Sequence, residues 1–135
     1  MALITWSEKY SVKNSTIDEQ HKKLIGILND FHDSMMAGKS NEMVEEILMR
    51  LIDYTKMHFG TEEKLMEKYA YPDKRAHEIQ HIELVNEVGV YYNKLKQGKK
   101  FVNLELADFL KNWLNHHIME TDVKFGKFLF DKGEK

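Results

Sequence analysis

Histidine residues recur in this sequence at spacings that suit a metal site. His58 and Glu62 are four residues apart, and so are His77 and His81. Residues four apart lie on one face of a helix, one turn from each other. Five histidines fall on the apolar stripes of predicted helices: His21, His58, His77, His81 and His117. A core-facing histidine is costly unless it is hydrogen-bonded or bound to a metal, so these five and Glu62 are candidate metal ligands.

Residues 77–81, with the sequence HEIQH, also match the H-E-x-x-H motif of zinc proteases. That interpretation needs Glu78 to activate water, yet Glu78 lies about 100° around the helix from His77, away from the apolar stripe. It also leaves the other histidines and Glu62 without a role. The pattern therefore favours a larger metal site over a peptidase.

The rest of the chain predicts the elements that hold these side chains. A single proline among 135 residues and four long stretches of 3.6-residue periodicity indicate an all-α protein. We expect helices over about residues 17–37, 41–69, 74–97 and 103–130. Thr16 and Glu19 predict a capping box at the first helix. Short connections predict an up-down-up-down antiparallel four-helix bundle, with an N-terminal arm over residues 1–15 and a single domain over residues 1–135.

Folding the predicted helices side by side brings the candidate ligands to one level of the bundle. His21 on the first helix then lies beside His58 on the second. Glu62 lies between the two histidines of the third helix, and His117 on the fourth lies alongside the same two. Unrelated core histidines have no reason to share a level, so the register predicts one shared site.

Two other histidines do not fit this register. His32 lies about 16 Å further along its helix than His21, at about 1.5 Å per residue, and His116 lies one residue off the stripe. The fourth helix must also supply a carboxylate. Glu120 and Asp122 lie to either side of its apolar stripe, each roughly 100° from the centre, so periodicity leaves both open.

The types of donor limit the metal that the site could hold. The chain has no cysteine, which excludes thiolate sites and iron–sulfur clusters. Imidazoles and carboxylates suit iron, manganese or zinc. Seven protein ligands are too many for one ion, so the pattern predicts two. If each ion takes roughly six ligands, bridging carboxylates and a bridging solvent oxygen leave one position open for a small diatomic molecule.

Composition excludes other classes of function. A net charge of −2, with both signs mixed along the chain, gives no basic surface for nucleic acid or anionic membrane. No run approaches the roughly 20 apolar residues of a membrane span, and the first residues lack the apolar core of a signal peptide. We therefore expect a cytoplasmic protein that binds neither nucleic acid nor membrane.

Short motifs occur in order along nearly the whole chain. They are Trp6 followed by YSV at 10–12, D-x-x-H-x-x-L at 18–24, H-F-x-x-E at 58–62, H-x-x-x-H at 77–81 and W-L-x-x-H-I-x-x-x-D at 113–122. Each motif alone is weak, but all of them in this order and at these separations are highly specific. The chain resembles the hemerythrin family, and in particular its single-domain bacterial members.

The resemblance implies two iron ions, joined by a bridging oxo or hydroxo group, that bind dioxygen reversibly. It also implies that Asp122, five residues after the last histidine, is the second bridging carboxylate, in place of Glu120. The implied ligands are His77, His81 and His117 for one iron, His21 and His58 for the iron with the open position, and Glu62 and Asp122 as bridges. All of these ligand positions are present in this sequence.

Apolar residues beside the ligands match the oxygen pocket of the family: Leu24, Phe59, Trp113, Leu114 and Ile118. We expect a binding protein for oxygen storage, buffering or delivery, and not an enzyme. An oxygen-consuming enzyme is the expected recipient, and the protein is expected to be a monomer or a homo-oligomer. The alternatives at the same centre are a di-iron oxidase or peroxidase, and sensing of oxygen or nitric oxide.

Overall fold

The computed structural model describes residues 3–97 and 102–134, and the regular structure within those ranges is helical, without a strand. The helices are α1 (Ser15–Met36), α2 (Asn41–Lys68), α3 (Lys74–Lys96), α4 (Val102–His116) and α5 (Val123–Asp131), with a 3-10 turn at Glu8–Tyr10 and a π-helical turn at His117–Asp122. The first two residues of the predicted arm and the last of the predicted domain lie outside these ranges. No helix in the described part of the chain is long and apolar enough to cross a membrane.

The helices pack as a closed ring of four rods. The first three rods are α1, α2 and α3, and the fourth consists of α4, the π turn and α5 in succession. α1 packs against α2, α2 against α3, α3 against α4, and α4 against α1. The connections from α1 to α2 and from α2 to α3 are only a few residues long, so neighbouring helices run in opposite directions. The predicted all-α, up-down-up-down bundle is confirmed.

The first helix starts differently from the sequence prediction. Its N-cap is Asn14, whose side-chain oxygen accepts a hydrogen bond from the backbone N–H of Ile17 at 3.0 Å. Thr16 lies inside the helix, so the predicted capping box of Thr16 and Glu19 is wrong. Asn14 is buried, and a buried amide needs a hydrogen-bond partner. The orphan N–H groups at the helix start supply that partner.

The N-terminal arm lies along the bundle and is held by polar and steric contacts. The Tyr10 hydroxyl donates a hydrogen bond to Asn115 at 2.6 Å. Further along, a methyl group at Gly126 would overlap the carbonyl oxygen of Val12. Glycine therefore lets the arm approach α5 more closely than any other residue could.

Two apolar clusters fill the bundle, with a polar layer between them. The larger extends through most of its length, and the smaller consists of Val12, Ile17, Met66, Tyr71, Phe125 and Leu129. On α1, Ile17 belongs to the smaller cluster, Leu24 belongs to the larger, and the buried His21 lies between them. The candidate ligands therefore lie inside the core, near the end that holds the start of α1 and of α3.

The fourth rod is a continuous helical path that changes type in the middle. We predicted one helix over about residues 103–130, and the structure has α4 and α5 joined by the π turn at His117–Asp122. The backbone stays right-handed helical at both junctions, His116 and Val123. A π turn adds one residue to the hydrogen-bonded loop of a helix, and such turns are frequent at functional sites.

Candidate metal centre

Seven buried side chains meet in the polar layer of the bundle. They come from all four rods and are His21, His58, Glu62, His77, His81, His117 and Asp122. None is more than 2% exposed to solvent. These are the seven candidate ligands of the sequence analysis, and the structure brings all of them together.

The donor atoms form two groups, and within each group they lie within 4.8 Å of one another. The three-histidine group is His77, His81 and His117 with Glu62 and Asp122, and the two-histidine group is His21 and His58 with the same two carboxylates. Each group has donors enough for one cation. Because both carboxylates belong to both groups, the arrangement suits two cations that share them.

Asp122 faces both groups with different oxygen atoms. Its Oδ1 lies 2.9 Å from His77 Nε2 and 3.0 Å from His117 Nε2. Its Oδ2 lies 2.9 Å from His21 Nε2, in the other group. One carboxylate thus points one oxygen at each of the two positions that a cation could take.

Glu62 also lies between the groups. Its Oε1 is 3.2 Å from His58 Nε2 and 3.4 Å from His81 Nε2, which belong to different groups. Its Oε2 is 4.0 Å from His77 Nε2. The two carboxylates therefore link the same two sets of histidines from opposite rods, α2 and the π turn.

These donor atoms are close together but do not hydrogen-bond to one another. Among residues 3–97 and 102–134, none of the five Nε2 atoms and none of the four carboxylate oxygens has a hydrogen-bond partner. An unpaired buried carboxylate is strongly destabilising. Cations between the donors would satisfy all nine atoms together, so these residues fit a pair of metal ions.

A family model for the hemerythrin HHE cation-binding domain matches residues 12–129. This chain belongs to the hemerythrin family. It is 35% identical over 130 residues to a bacteriohemerythrin of Methylococcus capsulatus, covering 96% of this chain and 98% of the relative. A bacteriohemerythrin of Pseudomonas aeruginosa is 34% identical over 125 residues, covering 93% of this chain and 80% of the relative. A wild-type hemerythrin crystal structure superposes with a TM-score of 0.87 at 33% identity, covering 93% and 97% of the two chains.

Three of the candidate ligand histidines each form a hydrogen bond at Nδ1, on the side of the ring away from the donor cluster. The acceptors are Gln20 for His58 at 2.6 Å, Glu63 for His81 at 2.9 Å and Gln80 for His117 at 2.7 Å. An Nδ1 that donates its proton leaves Nε2 with a free lone pair, as a metal ligand requires. None of these three acceptors was predicted from the sequence, although each directly adjoins a candidate ligand along the chain.

The electrostatic balance of the donor cluster keeps its two carboxylates ionised. Burial and the Asp122 carboxylate act to raise the pKa of Glu62, but His58 and His81 outweigh them and hold this pKa at about 2. Burial also acts to raise the pKa of Asp122, and His117 with two other histidines holds it well below its ordinary value. Burial acts to lower the pKa of His21, but the carboxylates of Asp122, Glu62 and Asp18 together outweigh it and raise that pKa overall. Cations that bind between the donors would replace protons on these histidines as the positive charges beside the carboxylates.

The π turn gives different surroundings to the two carboxylates that periodicity left open. Its bonds run from residue i to i+5, which brings residues five apart onto one face. Asp122 thereby faces inward with His117 and is 1% exposed. Glu120 is 67% exposed and pairs with the exposed His116 at 3.0 Å. The structure brings Asp122 to the donor cluster and leaves Glu120 at the surface.

The histidines that did not fit the register lie apart from the cluster. His32 is partly buried, with its Nδ1 3.9 Å from the exposed Asp33 carboxylate. His116 is exposed. Neither belongs to a group of potential metal donors within the described ranges.

Aromatic rings pack directly against two of the candidate ligand histidines. Phe59 stacks on His81, with ring centroids 3.6 Å apart and planes 5° from parallel. Trp113 stacks on His117 at 4.3 Å and 15°. Leu24 and Ile118 are buried nearby in the larger cluster, which Leu114 also joins at its edge. Apolar groups therefore border the cluster on the side away from the smaller core.

Proposed function

We propose that this hemerythrin binds dioxygen reversibly at a centre of two iron ions, for oxygen storage, buffering or delivery. The observation that carries the proposal is the pair of donor groups that share Glu62 and Asp122, with every donor atom free of hydrogen bonds. Imidazole and carboxylate donors suit iron. When bound, two ferrous ions supply the electrons that dioxygen takes up and returns.

The proposal assigns the ligands by group. The three-histidine group holds one iron, the two-histidine group holds the other, and the two shared carboxylates bridge them. The two-histidine group offers one donor fewer, so we assign dioxygen binding to that side. The hydrogen bond from His58 Nδ1 to Gln20 keeps the Nε2 of this ligand unprotonated and correctly aimed.

The apolar residues around the cluster have the role of excluding water. We propose that Leu24, Phe59, Trp113, Leu114 and Ile118 line the oxygen pocket. A dry site slows side reactions of reactive species, and here the side reaction is irreversible oxidation of the iron. The same residues also stabilise the core, and the two roles are separable by experiment.

The donor set favours a binding protein over a di-iron enzyme. Enzymes of the ferritin-like type build their sites mainly from glutamates, with Glu-x-x-His motifs on facing helices. Here five of the seven donors are histidines. The proposal places the protein in the cytoplasm as a single domain, with an oxygen-consuming enzyme as the recipient of its dioxygen.

An optical experiment tests this function. Protein loaded with ferrous iron under anaerobic conditions is expected to hold two irons per chain and to be nearly colourless. In air it should gain visible absorption, and it should lose that absorption again under vacuum. Rapid irreversible oxidation with turnover of an added reductant would favour an oxidase, and one zinc per chain with peptidase activity would contradict the proposal.

A further inference from the structure

The three hydrogen-bonded ligand histidines differ in the charge of their partners. His58 and His117 donate to neutral amides, Gln20 and Gln80. His81 donates to a carboxylate, Glu63 Oε2, at 2.9 Å. Because a carboxylate can only accept, the proton of this bond is on His81 Nδ1. His81 therefore has a negatively charged partner that the other two lack.

The surroundings of His81 hold it in position for that bond. Its ring is 2% exposed and stacks against Phe59, while its Nε2 lies 3.4 Å from Glu62 Oε1. Glu63 is 36% exposed and lies at the edge of a groove of about 290 Å³ between α2 and α3. The ring is thus fixed between a buried donor cluster and a charge at the surface.

A charged acceptor acts on the metal through the ring. Hydrogen bonds to ionised groups are roughly twice as strong as those between neutral groups. An acceptor at Nδ1 raises the basicity of Nε2 as a ligand, and a carboxylate does so more than an amide. A more basic ligand stabilises the more highly charged state of its ion.

We propose that Glu63 is a positioning residue that lowers the reduction potential of the iron bound by the three-histidine group. This inference rests on the proposed function, since it concerns the same two irons. Gln20 and Gln80 orient their histidines without adding charge. Glu63 orients His81 and also makes the ion that His81 binds easier to oxidise.

The test is Glu63→Gln, which keeps a side chain of the same shape and a carbonyl acceptor but removes the charge. We expect two irons per chain and a midpoint potential, measured by anaerobic spectroelectrochemical titration, that shifts to more positive values. Autoxidation in air should slow several-fold. Loss of the hydrogen-bond partner of a metal ligand typically lowers metal affinity by about 10- to 100-fold. Iron affinity in Glu63→Gln should not fall by more than that.

Glu67→Gln is the matched control. Glu67 is exposed and lies one turn further along α2, so this change removes the same charge at a position away from His81. Its potential should equal that of the parent protein. A shift as large as that of Glu63→Gln would mean that general surface charge is responsible, and it would overturn the inference.

Gln80→Glu gives the reciprocal test, because it places a carboxylate behind His117 in the same group. Its potential should shift to more negative values, and the double variant Glu63→Gln/Gln80→Glu should recover most of the parent value. A purely structural role for Glu63 predicts no such recovery. If Glu63→Gln loses its iron, an unchanged potential in Gln80→Glu still refutes the inference.

These outcomes are distinct from failure of the proposed function. If the parent protein fails to hold two irons or to bind dioxygen reversibly, the proposed function is wrong. If the parent does both and Glu63→Gln has the same potential and the same rate of autoxidation, only the role of Glu63 is wrong.

Discussion

Replacing Asp122 with asparagine removes one negative charge from the centre of the site. The two oxygens of Asp122 lie 2.9–3.0 Å from three Nε2 atoms, two of them in the three-histidine group and one in the two-histidine group. An amide presents one oxygen and one N–H₂ donor, so it can bridge two cations only poorly. Asp122→Asn should therefore weaken both ion positions at once. Glu120→Gln makes the same chemical change two residues away, at the surface.

The size of the effect follows from what weaker changes cost. Loss of only the hydrogen-bond partner of a metal ligand lowers affinity by about 10- to 100-fold. Loss of a charged ligand shared by two ions should exceed the upper limit of that range. We expect iron affinity to fall more than about 100-fold, which is about 3 kcal/mol at about 1.4 kcal/mol per tenfold. Glu120→Gln should leave affinity unchanged and stability within about 0.5 kcal/mol.

The assay is anaerobic loading with ferrous iron, removal of free metal and measurement of iron per chain, followed by competition with a graded set of chelators. Far-ultraviolet circular dichroism confirms that both variants stay helical. Two tightly bound irons in Asp122→Asn would refute the bridging assignment. Loss of iron in Glu120→Gln together with retention in Asp122→Asn would mean that the carboxylate was assigned to the wrong residue.

Other predictions separate the pocket, the ligands and the metal. Leu24→Ser should speed autoxidation while both irons are retained. Leu48→Ala, also in the larger cluster, should lower the free energy of unfolding by about 2–5 kcal/mol without affecting autoxidation. Equal rates of autoxidation in Leu24→Ser and the parent protein would remove Leu24 from the pocket. His77→Ala should lose most of its iron. Iron analysis should find two irons per chain in the control variants His32→Ala and His116→Ala. Loss of iron in either control variant would mean that the replaced histidine is a ligand. Removal of iron by a chelator should lower the melting temperature by about 15 °C for each of the two ions lost. Saturation at 1,000 times the dissociation constant adds about 4 kcal/mol per site, and each kcal/mol corresponds to roughly 4 °C. Calorimetry that finds equal melting temperatures with and without iron would show that iron does not stabilise the fold.

The fold could be predicted from the sequence because its helices repeat a simple pattern. Long 3.6-residue periodicity and short connections were enough for the all-α bundle, which is confirmed. The helix start was predicted wrongly because Thr16 and Glu19 match a capping pattern that does not depend on burial. The polar residue that the core buries, Asn14, takes the cap in their place. Tertiary context decided between two good local candidates.

The clustering of the candidate ligands could be predicted to the extent that it follows helical register. Histidines on apolar stripes carry their own signal, because core histidines need partners. The choice of Asp122 came from a family resemblance and not from geometry, since periodicity assumes 100° per residue and the π turn at His117–Asp122 does not obey that value. Gln20, Glu63 and Gln80 carried no signal, because polar residues flanking a buried face are ordinary in any bundle helix.

The π turn also sets the phase of the rest of the fourth rod. At 3.6 residues per turn, the face of His117 would return at about residues 121, 124 and 128. The buried residues are instead Asp122, Phe125, Gly126 and Leu129, and 122, 125 and 129 are the same series moved on by one residue. Deletion of one residue within the turn would therefore rotate α5 by about 100° and take Phe125 and Leu129 out of the smaller cluster. The number of residues in this segment, as much as their identity, couples the metal ligands to the core beneath them.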